Sequence, residues 1–211
     1  MRGLFLTFEG IEGSGKTTQA GLLEQALVRA GEPVLRTREP GGTDLAEQIR
    51  KLILDVRQEP VHRETELLLF LAARAQHVRE RIQPALDAGQ VVICDRFTDA
   101  TLAYQGGGRW ISPAILTTLN DWASGAIQPD RTYLLDVPVT AGLTRAKNRG
   151  GEAGIDRIER EGSVFLEAVR DEYLRLARRD PARILVLDGL EPPETLAKLI
   201  LTDVESIRTG R

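Results

Sequence analysis

Apolar residues along the chain fall into two rhythms. Short apolar runs rich in Val, Ile, Leu and Phe read as strands: "LFLTFE" at 4–9, "PVLRTRE" at 33–39, "VVICD" at 91–95, "TYLLDV" at 132–137 and "RILVLD" at 183–188. Between them the apolar positions recur at helical spacing. "KTTQAGLLEQALVRAG" (16–31) predicts a helix closed by Gly31, and "GTDLAEQIRKLILD" (42–55) one capped by Thr43 or Asp44. "ETELLLFLAARAQHVRERIQPALDAG" (64–89) predicts one long helix ending at Gly89 and kinked by Pro84. Three further helical stretches are expected around 140, 170 and 200. Five apolar strands separated by helices predict an α/β fold: three layers, with a five-stranded parallel sheet flanked by helices on both faces. Ligands of such sheets bind beyond the carboxyl ends of the strands. The residues found there are polar: Glu9-Gly10, Arg38 to Gly42, Asp95-Arg96, Asp136 and Asp188-Gly189.

Gly10 to Thr17, "GIEGSGKT", satisfies G-x-x-x-x-G-K-[ST] between a predicted strand and a predicted helix, the setting of a phosphate loop. Glycines let backbone N–H groups turn onto phosphate oxygens, and the following helix adds its positive end. Gly10, Ile11, Glu12, Gly13, Ser14, Gly15, Lys16, Thr17 and Thr18 are therefore expected to cradle the phosphates of a nucleotide. Lys16 bridges the β- and γ-phosphates, and Thr17 offers its hydroxyl to Mg²⁺. A guanine reader N-K-x-D and a D-x-x-G loop are both missing from the chain, which argues against a GTPase switch. A small kinase needs, in addition, a site for a phosphate acceptor.

Composition narrows the class. With 211 residues the chain fits one ordinary domain, 1–211. A net charge of −3 gives no electrostatic support for coating nucleic acid. Of 28 lysines and arginines only four are lysines, so an arginine near any site is weak information and Lys16 is more telling. Cys94 is the sole cysteine, and its apolar surroundings predict a buried structural thiol in a reducing, cytoplasmic setting. No segment reaches the roughly 20 apolar residues of a membrane span. His62 and His77 lack partners at metal-ligand spacing and are expected on helix surfaces.

Taken in order, "FEGIEGSGKTT", "TREPGGT", "FLAARAQH", "DRFTDATLAYQGGGR", "LLDV" and "RAKNRGGEAGIDRIE" resemble the bacterial-type thymidylate kinase family over nearly the whole chain. The resemblance implies transfer of the γ-phosphoryl group of Mg·ATP to dTMP, in a homodimer. By that resemblance Asp95 lies near Mg²⁺ with Thr17, while Arg96 and Arg38 hold the acceptor phosphate. Phe70 stacks on the thymine and Arg74 bonds its carbonyl; without the family, Phe70 reads as core. Thr101 meets the pyrimidine edge, Tyr104 crowds a ribose 2′-hydroxyl, Glu9 meets the sugar or the metal's water, and Gln105 opens a flexible "QGGG" segment. Residues 145–157 are implied to form a short mobile lid carrying Arg145, Lys147, Arg149 and Arg157. Some family members place a catalytic arginine inside the phosphate loop. Gly13 occupies that position here, so the arginine is expected from the lid, Arg149 first. Phe97 stands where the family pattern has Tyr or His. Adenine contacts are expected from the lid and the loop after Asp188. Two other readings remain: a deoxynucleoside kinase or another nucleoside monophosphate kinase, and a nucleotide-binding regulator without transfer activity.

Overall fold

The computed structural model describes residues 2–56, 58–150 and 157–209, with backbone only at 149, 150 and 159. Five parallel strands form one sheet: β1 (Phe5–Glu9), β2 (Val34–Arg38), β3 (Val91–Asp95), β4 (Arg131–Asp136) and β5 (Ile184–Asp188), in the order β2-β3-β1-β4-β5. The chain leaves β1 for the β2 edge, returns to β3, then crosses β1 to reach β4. The strand order thus reverses between β1 and β3, and this crevice is where such sheets take their ligands. Register sharpens the point. Arg38 pairs with Asp95 and Asp95 with Phe8, so Glu39, Arg96 and Glu9 leave the sheet at one level.

Nine α-helices are described: α1 (Lys16–Arg29), α2 (Asp44–Leu54), α3 (Arg63–His77), α4 (Gln83–Asp87), α5 (Thr98–Thr101), α6 (Pro113–Ser124), α7 (Val139–Gly150), α8 (Ser163–Arg179) and α9 (Pro193–Thr209). Alternate strand residues feed opposite layers. Leu6, Phe8, Ile93 and Tyr133 pack with Leu23 and Leu27 of α1 and Ile200 and Val204 of α9. On the other face, Phe5, Val92 and Cys94 pack with Val78, Ile82 and Leu86, while Leu134 meets Leu166, Val169 and Tyr173 of α8. Each such side chain taken out of water contributes about 1.5–3 kcal/mol. Cys94 is fully buried, as its apolar run predicts.

Several local details depart from the sequence expectation. The long helix of 64–89 is two α-helices joined by a π-helical turn, Val78–Ile82. A proline ring collides with the carbonyl four residues back, here that of Glu80, and the wider turn relieves this before Pro84 enters α4. Thr43 rather than Asp44 caps α2, its hydroxyl accepting from the Ala46 N–H at 3.2 Å. Helix α6 was not anticipated. It opens on Pro113 and closes on Gly125 at φ 63°, and burial of Leu116, Asn120 and Ala123 outweighs its β-branched residues.

The glycines of "QGGG" are closely packed. They belong to a second π-helical turn, Leu102–Gly108, pressed against α8. A Cβ on Gly107 would lie 2.7 Å from the Glu172 Cβ, and one on Gly108 would lie 2.4 Å from the Phe165 ring. His77 is likewise not a surface residue. It is fully buried, with Nε2 2.7 Å from the Thr37 hydroxyl and Nδ1 3.1 Å from Glu39. A helix face can bury such polar groups because they satisfy one another. His62 is exposed, as expected.

Candidate active site

The loop after β1 takes backbone conformations that L side chains rarely reach, with Gly10 at φ 135°, Gly13 at 74° and Gly15 at 101°. Gly13 has a further constraint: a Cβ there would come within 2.1 Å of the Gly142 carbonyl oxygen in α7. The Lys16 ammonium folds back onto its own loop, donating to the carbonyls of Gly10 (3.0 Å) and Ile11 (2.8 Å) and to the Ser14 hydroxyl (3.3 Å). Burial, and then the neighbouring Arg96 charge, bring its pKa down to about 8. An anion placed here therefore meets a cation held without solvent. Thr17 at the head of α1 donates its hydroxyl to Asp95 at the end of β3, 2.6 Å away. Two hard oxygen groups so placed suit Mg²⁺, which takes one or two protein oxygens and leaves the rest to phosphate and water.

Arg96 lies between the two halves of the site. Its backbone is held at φ 72°, a strained region for a non-glycine residue, fixed by its N–H on the Phe8 carbonyl (2.9 Å) and the Cys94 thiol on its own carbonyl (3.1 Å). The guanidinium donates to the Gly10 carbonyl (2.9 Å), the Tyr173 hydroxyl (3.3 Å) and Glu12 (2.8 Å), and lies 4.9 Å from the Tyr104 ring centre. Nε–H and one N–H of Nη2 have no partner among the described residues, which leaves donors for a phosphate. Glu12 belongs to the loop by its backbone, yet its carboxylate turns toward the second half of the site. There it accepts from Arg96 and from the Tyr104 hydroxyl, both of its oxygens at 2.9 Å from the latter.

One cavity joins these parts, running from Gly13, Gly15, Lys16, Thr17 and Thr18 past Asp95 and Arg96 to Phe70, Arg74, Thr101, Tyr104 and Gln105. Arg74 is buried, with four of its five N–H groups engaged. Glu39 takes one at 2.7 Å, Thr101 at 2.8 Å, Asn120 at 2.5 Å and the Phe97 carbonyl at 2.9 Å. One N–H on Nη2 remains for a ligand. Burial works against the charge of Glu39, but Arg74 and His77 together hold its pKa below the usual carboxylate value. Arg38 is more exposed and forms a two-pronged pair with Glu47, each contact 2.9 Å. Glu39 and Pro40 line the cavity beside Arg38, in the loop the resemblance assigns to the acceptor phosphate, whereas sequence reasoning missed Arg50, Leu54, Ala100 and Ile158. Arg50 donates to the Pro40 carbonyl (2.8 Å), tying α2 to the loop after β2.

Not every expected contributor lines the cavity. Glu9 is fully buried and absent from the cavity wall; its carboxyl accepts from the Phe97 N–H (2.7 Å) and the Tyr173 hydroxyl (2.6 Å). The Phe97 ring, where a polar ring was expected, packs edge-on against Phe5 at 4.9 Å. Of the 145–157 segment, 145–150 are the last turns of α7, and 151–156 lie outside the described residues. Arg145 donates to the Gly189 carbonyl (2.8 Å) and Lys147 is exposed. The Arg149 side chain also lies outside the described residues. Arg157 is bound into the structure, by Nε to the Ile53 carbonyl (2.9 Å) and by Nη2 to Glu66 (2.6 Å).

Sheet order, phosphate loop and facing pocket define a phosphate-loop α/β protein built to hold two ligands end to end. The family model for thymidylate kinase matches residues 8–200. A thymidylate kinase of Pseudomonas savastanoi pv. phaseolicola is 52% identical over 192 residues, covering 91% of this chain and 90% of that protein. One of Methylococcus capsulatus is 48% identical over 208 residues, 99% of this chain and 98% of that one. The crystal structure of thymidylate kinase from Ehrlichia chaffeensis superposes with a TM-score of 0.77 at 33% identity, covering 97% and 99% of the two chains. The chain belongs to the thymidylate kinase family.

Proposed function

We propose that this protein transfers the γ-phosphoryl group of ATP to dTMP, giving dTDP and ADP. One observation carries the reading: a continuous cavity has the phosphate loop at one end and Phe70, Arg74 and Gln105 at the other, with Asp95 and Arg96 between. ATP places its phosphates on the backbone of Gly10 to Thr18, with Lys16 on the β- and γ-oxygens. Thr17 and Asp95 would hold Mg²⁺, which would supply positive charge against the phosphate oxygens. Arg96, helped by Arg38, receives the dTMP phosphate on its unengaged N–H groups. Phe70 stacks on thymine, and Arg74 and Thr101 address the edge of the base. Tyr104 and Glu12 face the sugar. Glu9 acts behind this surface, fixing Phe97 and Tyr173 rather than touching ligand.

The attacking oxygen belongs to a phosphate whose second pKa is about 6, so it is ionised at neutral pH and needs no general base. What remains is to bring two anions together, neutralise them and exclude water. Arg149 is the arginine assigned to the transferring group, because Gly13 carries no side chain and Arg145 and Arg157 are engaged elsewhere. The protein works in the cytoplasm as a homodimer; Leu68 on α3 and Ile115 and Trp122 on the adjoining α6 are apolar and exposed. No helix among the described residues is long and apolar enough to cross a membrane.

A coupled ADP-release assay across dTMP, dUMP, UMP, CMP, AMP, GMP and thymidine tests the reading. dTMP is expected to give the highest kcat/KM. Preference for thymidine would make the protein a deoxynucleoside kinase, and no turnover with any acceptor would make it a binding protein.

A further inference from the structure

Glu66 does not line the cavity, yet it holds Gln105, which does, and Arg157, whose neighbour Ile158 is on the wall. Its carboxylate is 1% exposed and lies one helical turn before Phe70 on α3. It accepts from the Gln105 amide (3.0 Å), from Arg109 through Nε (3.1 Å) and Nη2 (3.0 Å), and from Arg157 Nη2 (2.6 Å). Arg157 donates its own backbone N–H to the Leu54 carbonyl at 3.1 Å, which sets Leu54 and Ile158 side by side on the wall. Arg109 also reaches Glu161 at 2.5 Å, so two guanidinium and two carboxylate groups balance. Burial raises the cost of charge on Glu66, but the hydrogen bonds from Arg109, Gln105 and Arg157 keep its pKa below the usual value.

An ionised carboxylate only accepts hydrogen bonds. The end of the Gln105 amide that meets Glu66 must therefore be its NH₂, which turns the carbonyl the other way. That oxygen has no partner among the described residues, and Gln105 shares the cavity with Phe70 and Arg74. We infer that Glu66 is a positioning residue for base selection: by fixing the Gln105 amide it commits a carbonyl acceptor to the nucleobase. The site then favours a pyrimidine with hydrogen on N3, thymine or uracil, over cytosine, whose N3 presents a lone pair. This rests on the dTMP-accepting reading above.

The test is Glu66→Gln, assayed for kcat/KM with dTMP and with dCMP, for KM of ATP, and for thermal melting. A neutral amide partner lets Gln105 turn either way. The dTMP KM is expected to rise about tenfold while that of ATP stays within about twofold. The dTMP-over-dCMP preference is expected to fall at least about tenfold, since rejecting a mismatched polar pattern depends on a fixed partner. A preference that stays unchanged while both KM values rise together would reduce Glu66 to a structural support and overturn the inference. Should Glu66→Gln not fold, Gln105→Met, which leaves both arginines on Glu66, must lose the same discrimination; retained discrimination overturns the inference equally. Failure of the wild-type protein to use dTMP would instead overturn the parent reading.

Discussion

Glu9 lends itself to a quantitative test. Its carboxyl is fully buried, and its pKa is pushed up to about 7 from an ordinary 4.5, first by burial and next by the Asp99 charge; Arg96 and the bonds from Tyr173 and Phe97 pull the other way. A raised carboxyl pKa means the native state keeps a proton that the unfolded chain releases. Between pH 4.5 and 7 stability therefore falls as pH rises, and above pH 7 the loss is complete. At 1.36 kcal/mol per pH unit, the loss comes to about 3 kcal/mol. Glu9→Gln has the same shape; its carbonyl can accept from the Phe97 N–H and its NH₂ can donate to the Tyr173 oxygen. Urea unfolding of wild type and variant from pH 4.5 to 8.5 should give near-equal stabilities at the acid end. The variant should gain about 3 kcal/mol by pH 8. A difference between the two that does not change with pH would refute the reasoning.

Three further outcomes are expected. Lys16, at a pKa of about 8, should regain its proton when polyphosphate arrives, so ATP binding at pH 8 takes up about half a proton; calorimetry in buffers of different ionisation heat measures this, and zero uptake would refute it. Gly107→Ala puts a methyl group 2.7 Å from the Glu172 Cβ and should cost about 1–3 kcal/mol, read as a lowered melting temperature; an unchanged melting temperature would show the turn to be looser than described. Trp110 is 81% exposed at φ 63°, a conformation costing an L residue about 1–2 kcal/mol, so Trp110→Gly should be neutral or stabilising in urea; a clear loss would mean the ring holds something in place.

The parallel sheet was legible because five buried strands leave nearly continuous apolar runs, and the phosphate loop because its backbone demands glycine at set intervals. Asp95 and Arg96 could be placed once "VVICD" was read as a strand. The π-helical turns were not legible: one extra residue only rotates the apolar face by about 100°, which stretches this short and this apolar do not display. Pro84 hinted at a disturbance but not at its form. His77 was misread because its partners, Thr37 and Glu39, come from a strand and loop some 40 positions earlier. The same reason hid Arg50, Leu54 and Ile158, which have no catalytic signature and reach the cavity only through the packing of α2 and the segment after α7. Glu12 was assigned by motif to the phosphate cradle, but a motif describes backbone and does not say which way its variable side chains turn.

Gly13 and Gly142 meet main chain to main chain, and this bears on how such a protein can change over generations. A methyl group at position 13 would crowd the Gly142 carbonyl, and one at position 142 would come within 2.6 Å of the Glu12 carbonyl. Neither site tolerates a side chain while its opposite stays in place. Moving the cation proposed at Arg149 from the end of α7 to the loop is thus no one-step substitution: α7 would first have to draw back, at a cost to the intermediate. Descendants of this sequence are held to their present solution by the absence of a passable single mutation.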